Sequence, residues 1–321
     1  MRNDNSVVIL GAGIHGLAAA LVLTETRGFG AVKIYSREPV GATTSTVAGG
    51  LIEPAFITEG DTRINAWFSK SRARFADMLR DPRWYVRRGS VRTFWRSDKN
   101  DPAWAPLVDD FASAAIDHPP HVRTWSYTTE IVETPHHLAE LARHVQARGV
   151  QIVQREVTAL AELTSEAAIV INCSGVGARQ LGDTSVAPAR GQVIVLQRSE
   201  SIPDEVVVDD GMLTYIIPRL TDVIVGGTYG MDDWSRDPRP EVAADIMERA
   251  MRLVPQIKDA VVLGHRAGLR PVRDPVPRLE LEPIGSGRIV AHCYGTGGAG
   301  ITLSYGMAED LVAQLARTMA A

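Results

Sequence analysis

Apolar residues in the first part of the chain alternate between strand-like runs and a helix-like segment. Residues 6–10 (SVVIL) form an apolar run that is typical of a parallel strand covered on both faces. Residues 17–26 are rich in Ala and Leu and predict a helix, and residues 31–35 (AVKIY) predict the next strand. This order predicts a βαβ unit.

The rest of the chain mixes helical stripes with many strand-like runs. Residues 61–136 are rich in Arg, Trp and Pro, with helical spacing early and strand-like alternation later. Helices are predicted at 138–148, 242–253 and 302–319, and strands at 151–154, 168–173, 193–196, 205–208, 213–217, 222–227 and 288–292. The pattern predicts an α/β chain with a doubly wound nucleotide lobe and an antiparallel-sheet lobe, each visited more than once.

The composition limits which binding partners and which cellular location we expect. The 321 residues are 45% hydrophobic with a net charge of −4 and an estimated pI of 6.1, so no basic face indicates nucleic acid or an anionic membrane. No apolar run approaches the ~20 residues of a membrane span, and neither terminus carries a recognisable address. Cys173 and Cys293 lie in apolar runs typical of buried, reduced thiols. We expect a soluble, cytoplasmic protein.

A glycine motif lies between the first strand and the first helix. Residues 11–16 (GAGIHG) have the G-x-G-x-x-G spacing. Gly11 permits the tight turn, Gly13 lets a pyrophosphate approach the backbone, and Gly16 lets helix and strand pack closely. The helix N-terminus supplies free N–H groups for the phosphates. The motif predicts dinucleotide binding, with His15 as a surface residue at the helix start.

The end of the second predicted strand leaves the choice of dinucleotide open. An NAD site usually has an acidic residue at this point, whereas here the strand runs through Ser36 and Arg37 before Glu38. Arg37 either packs over an adenosine or a phosphate, or forms a solvated pair with Glu38. A cluster of histidines at positions 136, 137 and 144 has no spacing typical of a metal site, so we expect surface histidines and no bound metal.

Seven short motifs in order along the chain resemble those of the D-amino acid oxidase family of flavoproteins. They lie at 43–51 (TTSTVAGGL), 171–176 (INCSGV), 190–192 (RGQ), 215–218 (YIIP), 226–235 (GGTYGMDDWS), 264–273 (GHRAGLRPVR) and 294–302 (YGTGGAGIT). The resemblance implies FAD as cofactor. It also implies a Rossmann-type FAD-binding domain formed by residues 1–60, 137–182 and 260–321, and a mainly antiparallel substrate-binding domain formed by 61–136 and 183–259.

The same resemblance implies which residues hold the cofactor. Hydroxyls and amides of the Thr-rich stretch would wrap the pyrophosphate and flavin, and those of Ile301 and Thr302 would reach the O2 side of the flavin ring. The expected cofactor residues are Gly11, Gly13, Ile14, His15, Gly16, Arg37, Thr43, Thr44, Ser45, Gly49, Gly50, Leu51, Val157, Ser174, Gly175, Gly297, Gly298, Gly300, Ile301 and Thr302.

Three residues are expected to hold the substrate. Arg270 follows an apparent strand between a glycine and a proline, and its guanidinium could bind a carboxylate with two hydrogen bonds. From the residues alone, a surface charge is the favoured interpretation of Arg270, and Tyr215 could be a core residue with a hydrogen-bonded hydroxyl. The resemblance implies that Arg270 and Tyr215 hold the α-carboxylate of an amino acid, and that the backbone carbonyl of Gly298 accepts a hydrogen bond from its amine.

Several positions depart from the family pattern. Residues 206–214 are shorter than the active-site lid of the eukaryotic oxidases, and Gly211 lies where the lid tyrosine would be. Thr296 replaces a histidine, and Glu53 replaces a glutamine; an acidic group there would either favour a cationic substrate or form a salt bridge. Tyr229 lies where members selective for acidic substrates have a nearby arginine. We expect an open site that tolerates larger side chains.

The resemblance implies oxidation of a D-amino acid, with O2 as the second substrate. Hydride passes from Cα to flavin N5, and the products are a 2-oxo acid, ammonia and hydrogen peroxide; no catalytic acid or base is expected. The alternatives are a glycine or sarcosine oxidase on the same fold, an NAD-dependent dehydrogenase, and a flavin-binding protein without activity. A homodimer is a possible assembly, and we expect no nucleic-acid or membrane partner.

Overall fold

Two β-sheets with helices packed around them enclose a cleft. A computed structural model describes residues 5–53, 62–274, 277–285 and 287–320. The strands in these ranges are β1 (Val7–Leu10), β2 (Val32–Ser36), β3 (Val86–Trp95), β4 (Asp109–His118), β5 (His121–Val132), β6 (Gln151–Gln154), β7 (Ile169–Asn172), β8 (Val186–Gln197), β9 (Val206–Asp209), β10 (Thr214–Pro218), β11 (Asp222–Gly226), β12 (Gly230–Met231), β13 (Val262–Arg273), β14 (Arg278–Pro283) and β15 (Ile289–Tyr294). The helices are α1 (Ile14–Glu25), α2 (Thr44–Val47), α3 (Arg63–Met78), α4 (Thr134–Ala147), α5 (Leu160–Thr164), α6 (Pro240–Leu253) and α7 (Gly300–Ala320).

The first sheet has the strand order β14-β15-β7-β1-β2-β6 and is parallel except for β14. In its centre, Val7 lies opposite Val32 on one side and Ile169 on the other. All four residues of β1 and all four of β7 are buried, as expected for strands covered on both faces. This arrangement confirms the predicted βαβ unit and the α/β fold class. Of the helices in the described part of the chain, none combines the length and apolarity that a bilayer span requires.

The second sheet has the order β12-β8-β11-β10-β9-β3-β5-β4, with β13 also paired to β8. Its strands are antiparallel except for the β3–β9 pair. One apolar cluster runs without a break from the first sheet and α1, through Trp67 and Tyr305, to Ile131 and Ile217 of the second sheet. The two sheets therefore share a core, and the cleft between them has rigid walls.

Helices α3 and α7 meet at a glycine. A Cβ at Gly306 would lie 2.0 Å from the backbone oxygen of Trp67, so the two helices touch backbone to backbone. The indole nitrogen of Trp67 donates a hydrogen bond to Asp310, 3.0 Å away. This contact fastens α3 to α7, the helix that begins at the second glycine-rich loop.

Strand β13 lies in the second sheet, whereas the resemblance implies that its residues belong to the FAD-binding segment 260–321. Residues 262–273 pair with β8 over nearly their whole length. The sequence indicates a strand before Arg270 but not its full length, because two glycines, a proline and several charged residues interrupt the alternation. The boundaries of the two domains stay a prediction.

For several other helices and strands, the sequence predicts the correct type of element but not its full length. Helix α1 begins at Ile14, earlier than predicted, because the glycine motif itself opens the helix. The strand predicted at 193–196 is part of the twelve-residue strand β8. Residues 86–132 form three long strands, whereas the sequence shows only a strand-like alternation there and not the separate strands. Cys173 and Cys293 are both buried and free, as predicted.

His137 is buried, so the prediction that it lies at the surface is wrong. Its Nδ1 lies 2.7 Å from the carbonyl oxygen of Trp84, and its Nε2 lies 3.1 Å from the hydroxyl of Tyr305. Burial lowers the pKa of His137 to about 4, because the charged imidazolium is poorly solvated there. His137 joins α4 to α7 as a neutral side chain.

We predict that His137 makes the protein acid-sensitive. The unfolded chain binds a proton at a pKa of about 6.5, whereas the folded chain does so at about 4. Stability is therefore lost as pH falls from 6.5 towards 4, by about 2 kcal/mol at pH 5. Urea unfolding of the FAD-saturated protein at pH 7.5 and pH 5 should show a smaller loss for His137→Gln than for the wild type. His265→Gln, at an exposed position, is the control, and an equal loss in all three proteins would contradict the prediction.

Candidate functional site

A cleft of about 1580 Å³ lies between the two sheets and is lined by both glycine-rich segments. It is larger than the ~300–1,000 Å³ of a site for a drug-sized molecule. The cleft is therefore large enough to hold a dinucleotide-sized cofactor and a small substrate at the same time. All of the predicted cofactor and substrate residues line this cleft except Gly16.

The glycines of the first motif allow a close backbone approach at the end of β1. Gly11 has a φ of +108°, and a Cβ there would lie 2.4 Å from the carbonyl oxygen of Cys173. A Cβ at Gly16 would lie 1.9 Å from the carbonyl oxygen of Gly11, so Gly16 packs the helix and does not reach the cleft. At Gly13 the nearest atom to such a Cβ is Oγ of Ser45, at 3.1 Å. The N-terminus of α1 thus opens onto the cleft, where its N–H groups and partial positive charge suit a pyrophosphate.

His15 is buried, which corrects the prediction of a surface residue at the helix start. Its side chain is 9% exposed, and its Nε2 lies 3.1 Å from Oγ1 of Thr296. Its Nδ1 lies 3.8 Å from the sulfur of Cys293. His15 therefore connects the first glycine motif to the second glycine-rich loop, a contact between residues far apart in sequence that no local pattern indicates.

The end of β2 lines another part of the cleft. Arg37 is half-exposed and pairs with Glu38 at 3.3 Å, which agrees with the solvated-pair interpretation. Glu38 also pairs with Arg236, which follows β12, and Arg236 donates a further hydrogen bond to the carbonyl oxygen of Ala42 at 3.1 Å. Val157 lines the cleft as well. These contacts join the segment after β12 in the second sheet to the end of β2 in the first.

The Thr-rich stretch lies between the first motif and the second sheet. Ser45 accepts a hydrogen bond from the backbone N–H of Ile14 at 3.0 Å, which fixes the stretch against the start of α1. Gly50 has a φ of +87°, and a Cβ there would lie 1.9 Å from the carbonyl oxygen of Val132. The stretch therefore follows the cleft wall closely. Its cleft-lining members are Thr43, Thr44, Ser45, Gly49, Gly50 and Leu51, and Ser174 and Gly175 line the cleft after the end of β7.

The second glycine-rich loop leads into α7. Gly297 and Gly300 are partly exposed and Gly298 is exposed, so their backbone is open to the cleft. Ile301 and Thr302 begin the helix, and the Thr302 hydroxyl donates a hydrogen bond to the carbonyl oxygen of Glu53 at 3.0 Å. The positive end of this helix would stabilise negative charge in the cleft.

The sequence indicates that Arg270 follows a strand, but the structure places it within β13. Its Nη1 donates a hydrogen bond to the carbonyl oxygen of Thr228 at 2.9 Å. A Cβ at Gly191 would lie 2.2 Å from the same nitrogen, so the guanidinium rests directly on the backbone of β8. Its central carbon lies 5.5 Å from the ring centroid of Tyr229. Across the described ranges, no carboxylate forms an ion pair with Arg270, which leaves its charge available to an anion.

Tyr215 also lines the cleft and lies on another glycine-built surface. It pairs with Gly226 of β11 and with Val208 of β9. A Cβ at Gly226 would lie 2.3 Å from its ring, and one at Gly227 would lie 2.7 Å away. The ring therefore lies on bare backbone at the cleft wall. Together Arg270 and Tyr215 provide hydrogen-bond donors suited to a carboxylate.

The sequence left two interpretations of Glu53 open, a preference for a cationic substrate and a salt bridge. Tyr127 donates a hydrogen bond to its carboxyl group, and no ion pair of Glu53 occurs within the described residues. Burial, and then the charge of Asp210, raise the pKa of Glu53 to about 8. Glu53 is therefore protonated at neutral pH.

Three tryptophans, at positions 95, 104 and 125, also line the cleft. They come from β3, from the segment before β4, and from β5. Their clustering depends on strand pairing within residues 86–132, which the sequence does not resolve. No local pattern therefore indicates that they belong to the site.

Comparison with known proteins places the chain in a family. The family model DAO, described as FAD dependent oxidoreductase, matches residues 6–315. The chain is 39% identical to a D-amino-acid oxidase of Rubrobacter xylanophilus over 313 residues, covering 95% of this chain and 94% of the relative. It is 36% identical to a D-amino-acid oxidase of Streptomyces coelicolor, covering 96% of each.

A solved structure shares the fold. The glycine oxidase of Geobacillus kaustophilus has a TM-score of 0.81 at 19% identity, covering 97% of this chain and 94% of that one. At this identity the likeness concerns the fold alone. Because the family model matches from residue 6 to residue 315, the chain belongs to the DAO family of FAD-dependent oxidoreductases.

Proposed function

We propose that this protein uses FAD to oxidise D-amino acids to 2-oxo acids, with release of ammonia and hydrogen peroxide. The observation that carries the proposal is the Arg270 guanidinium, which lines the same cleft as Tyr215 and has no ion-pair partner in the described chain. Such a pair suits the α-carboxylate of an amino acid. The relatives named D-amino-acid oxidase support the same function.

The cofactor would lie along the cleft between the two glycine-rich segments. Bound FAD supplies a two-electron acceptor that O2 reoxidises. The backbone at Gly11 and Gly13 would hold the pyrophosphate, and the Thr-rich stretch would cover it. Gly297, Gly300 and the start of α7 would approach the ring, because only glycine leaves the backbone bare enough.

The substrate would be positioned rather than activated by an acid or base. Arg270 and Tyr215 would hold its carboxylate, and the carbonyl of exposed Gly298 would accept a hydrogen bond from its neutral amine. These contacts would direct the Cα–H bond to the flavin, and orientation of this kind lowers the barrier. The resulting imino acid hydrolyses in water.

The cover over the substrate is short. Only residues 210–213 connect β9 to β10, and Gly211 packs against the side chain of Arg96. A short connection closes little of the cleft, which favours rapid product release. The cleft also extends beyond Tyr215 to Trp125, which favours substrates with a side chain over glycine. The homodimer and the cytoplasmic location stay predictions.

We predict that the purified protein is yellow and shows the flavin absorbance bands. A peroxide-coupled screen of D- and L-amino acids, glycine and sarcosine should detect peroxide with D-amino acids and not with their enantiomers. A higher kcat/KM for glycine or sarcosine would favour the alternative oxidase. A colourless protein that does not bind added FAD would contradict the proposal.

Arg270→Lys should weaken substrate binding and leave the cofactor in place. A lysine cannot form the two parallel hydrogen bonds, and losing a charge-assisted contact costs ~1.5–3 kcal/mol. KM should therefore rise about 10- to 150-fold while the flavin spectrum is retained. The control is Arg266→Lys, on the same strand but outside the cleft lining. Equal KM values for the two variants would exclude the carboxylate contact.

Gly11→Ala should lower FAD retention. Its methyl group would meet the carbonyl of Cys173 at 2.4 Å, and Gly11 has a φ of +108°. Gly182 has the same φ with nothing within 4 Å of a Cβ, so Gly182→Ala carries the backbone strain without the collision. The fraction of protein that keeps FAD through gel filtration should fall for Gly11→Ala alone. Equal retention in both variants would show that the close approach is unimportant.

A further inference from the structure

A row of side chains crosses the second sheet from the proposed carboxylate site. Tyr215 lies opposite Val208, Val208 opposite Thr93, and Thr93 opposite Trp125. Residues directly opposite one another project from the same face of a sheet. With strands ~4.8 Å apart, the row extends about 14 Å. All four residues line the cleft, so the cleft continues along this row away from Tyr215.

The far end of the row has aromatic walls. The rings of Trp95 and Trp125 lie 4.5 Å apart between centroids. Trp104 meets Trp125 edge-on at 6.1 Å and Tyr127 at 5.3 Å. The faces and edges of such rings provide a large contact area, and their faces attract cations.

Two further residues of the cleft lining carry carboxyl groups. Glu53 and Asp210 both line the cleft, and the charge of Asp210 contributes to the raised pKa of Glu53. Neither forms an ion pair with any residue in the described ranges. Burial also raises the pKa of Asp210. A partly buried carboxylate without an ion-pair partner is costly, so a cationic ligand would gain from binding at Asp210, whereas the protonated Glu53 offers it no charge.

A cation of the protein itself lies near this end. The Nζ of Lys99 lies 5.2 Å from the ring centroid of Trp95, and the charge of Lys99 acts on Asp210. Lys99 is exposed, and within the described ranges no ion pair joins it to Asp210. The position of its ammonium over the Trp95 ring shows that a cation fits against this aromatic face.

We propose that Asp210, which lies next to Trp95 on the neighbouring strand, binds the positively charged side chain of a basic D-amino acid. Asp210 comes two residues after Val208, which lies opposite Tyr215, and directly after Asp209, which lies opposite Phe94. A lysine side chain extends roughly 6 Å beyond Cα, so it can reach this position but not the far end of the row. The inference rests on the proposed function, since Arg270 and Tyr215 would hold the other end of the same substrate. A neutral side chain would bury Asp210 without compensation, and an acidic side chain would be repelled. Asp210 is thus the residue that determines specificity.

The test compares D-lysine with D-norleucine, which shares the four-carbon side chain and lacks the ammonium. Wild-type kcat/KM should be higher for D-lysine. Asp210→Asn should lower the ratio of the two kcat/KM values at least about ten-fold, mainly through the KM for D-lysine, and Asp210→Glu should restore most of it. The control is Asp77→Asn, whose side chain is 70% exposed on α3 and which should not change the ratio.

The outcomes separate the two proposals. If the wild type produces peroxide from D-norleucine and shows no preference for D-lysine, the inference is overturned and the proposed function stays intact. This measurement needs no variant. An unchanged ratio in an Asp210→Asn protein that keeps its flavin spectrum would also overturn it. Absence of peroxide from every D-amino acid would overturn the proposed function itself.

Discussion

The carbonyl oxygen of Cys173 lies where a side chain at Gly11 would begin, and the guanidinium of Arg270 lies where one at Gly191 would begin. The ring of Tyr215 likewise occupies the space that a side chain at Gly226 would need. Bare backbone thus determines where these three groups, all in the predicted cofactor and substrate site, can lie. Any Cβ at these positions would displace a functional group, because packed interiors have little free space to absorb it.

Contacts between distant segments keep these surfaces facing each other. Buried Arg219 binds both carboxylate oxygens of Asp222, at 2.6 and 2.7 Å, and also donates to Thr134 at the start of α4. His15 contacts Thr296, and Arg236 pairs with Glu38. These polar links lie around a continuous apolar core, and together they hold the two walls of the cleft in place.

The sequence predicts the parts of this site that depend on local patterns. The strand, glycine turn and helix at residues 6–26 are local, and the structure confirms their order. The burial of His15, the strand membership of Arg270 and the tryptophan cluster depend on pairing between distant segments. A strand such as β13, interrupted by Gly264, Gly268 and Pro271, has no clear period of two, so only its pairing with β8 shows that it continues through Arg270.

Two charges of opposite sign lie in the substrate part of the cleft, each without an ion-pair partner among the described residues. Arg270 lies on β13, and Asp210 follows β9 two residues after Val208, which lies opposite Tyr215. Because the proposed chemistry occurs beside Arg270, the opposite end can change without altering the reacting geometry. In the proposed arrangement, substrate choice is therefore separable from the oxidation step, and it depends on side chains of the short connection at residues 210–213.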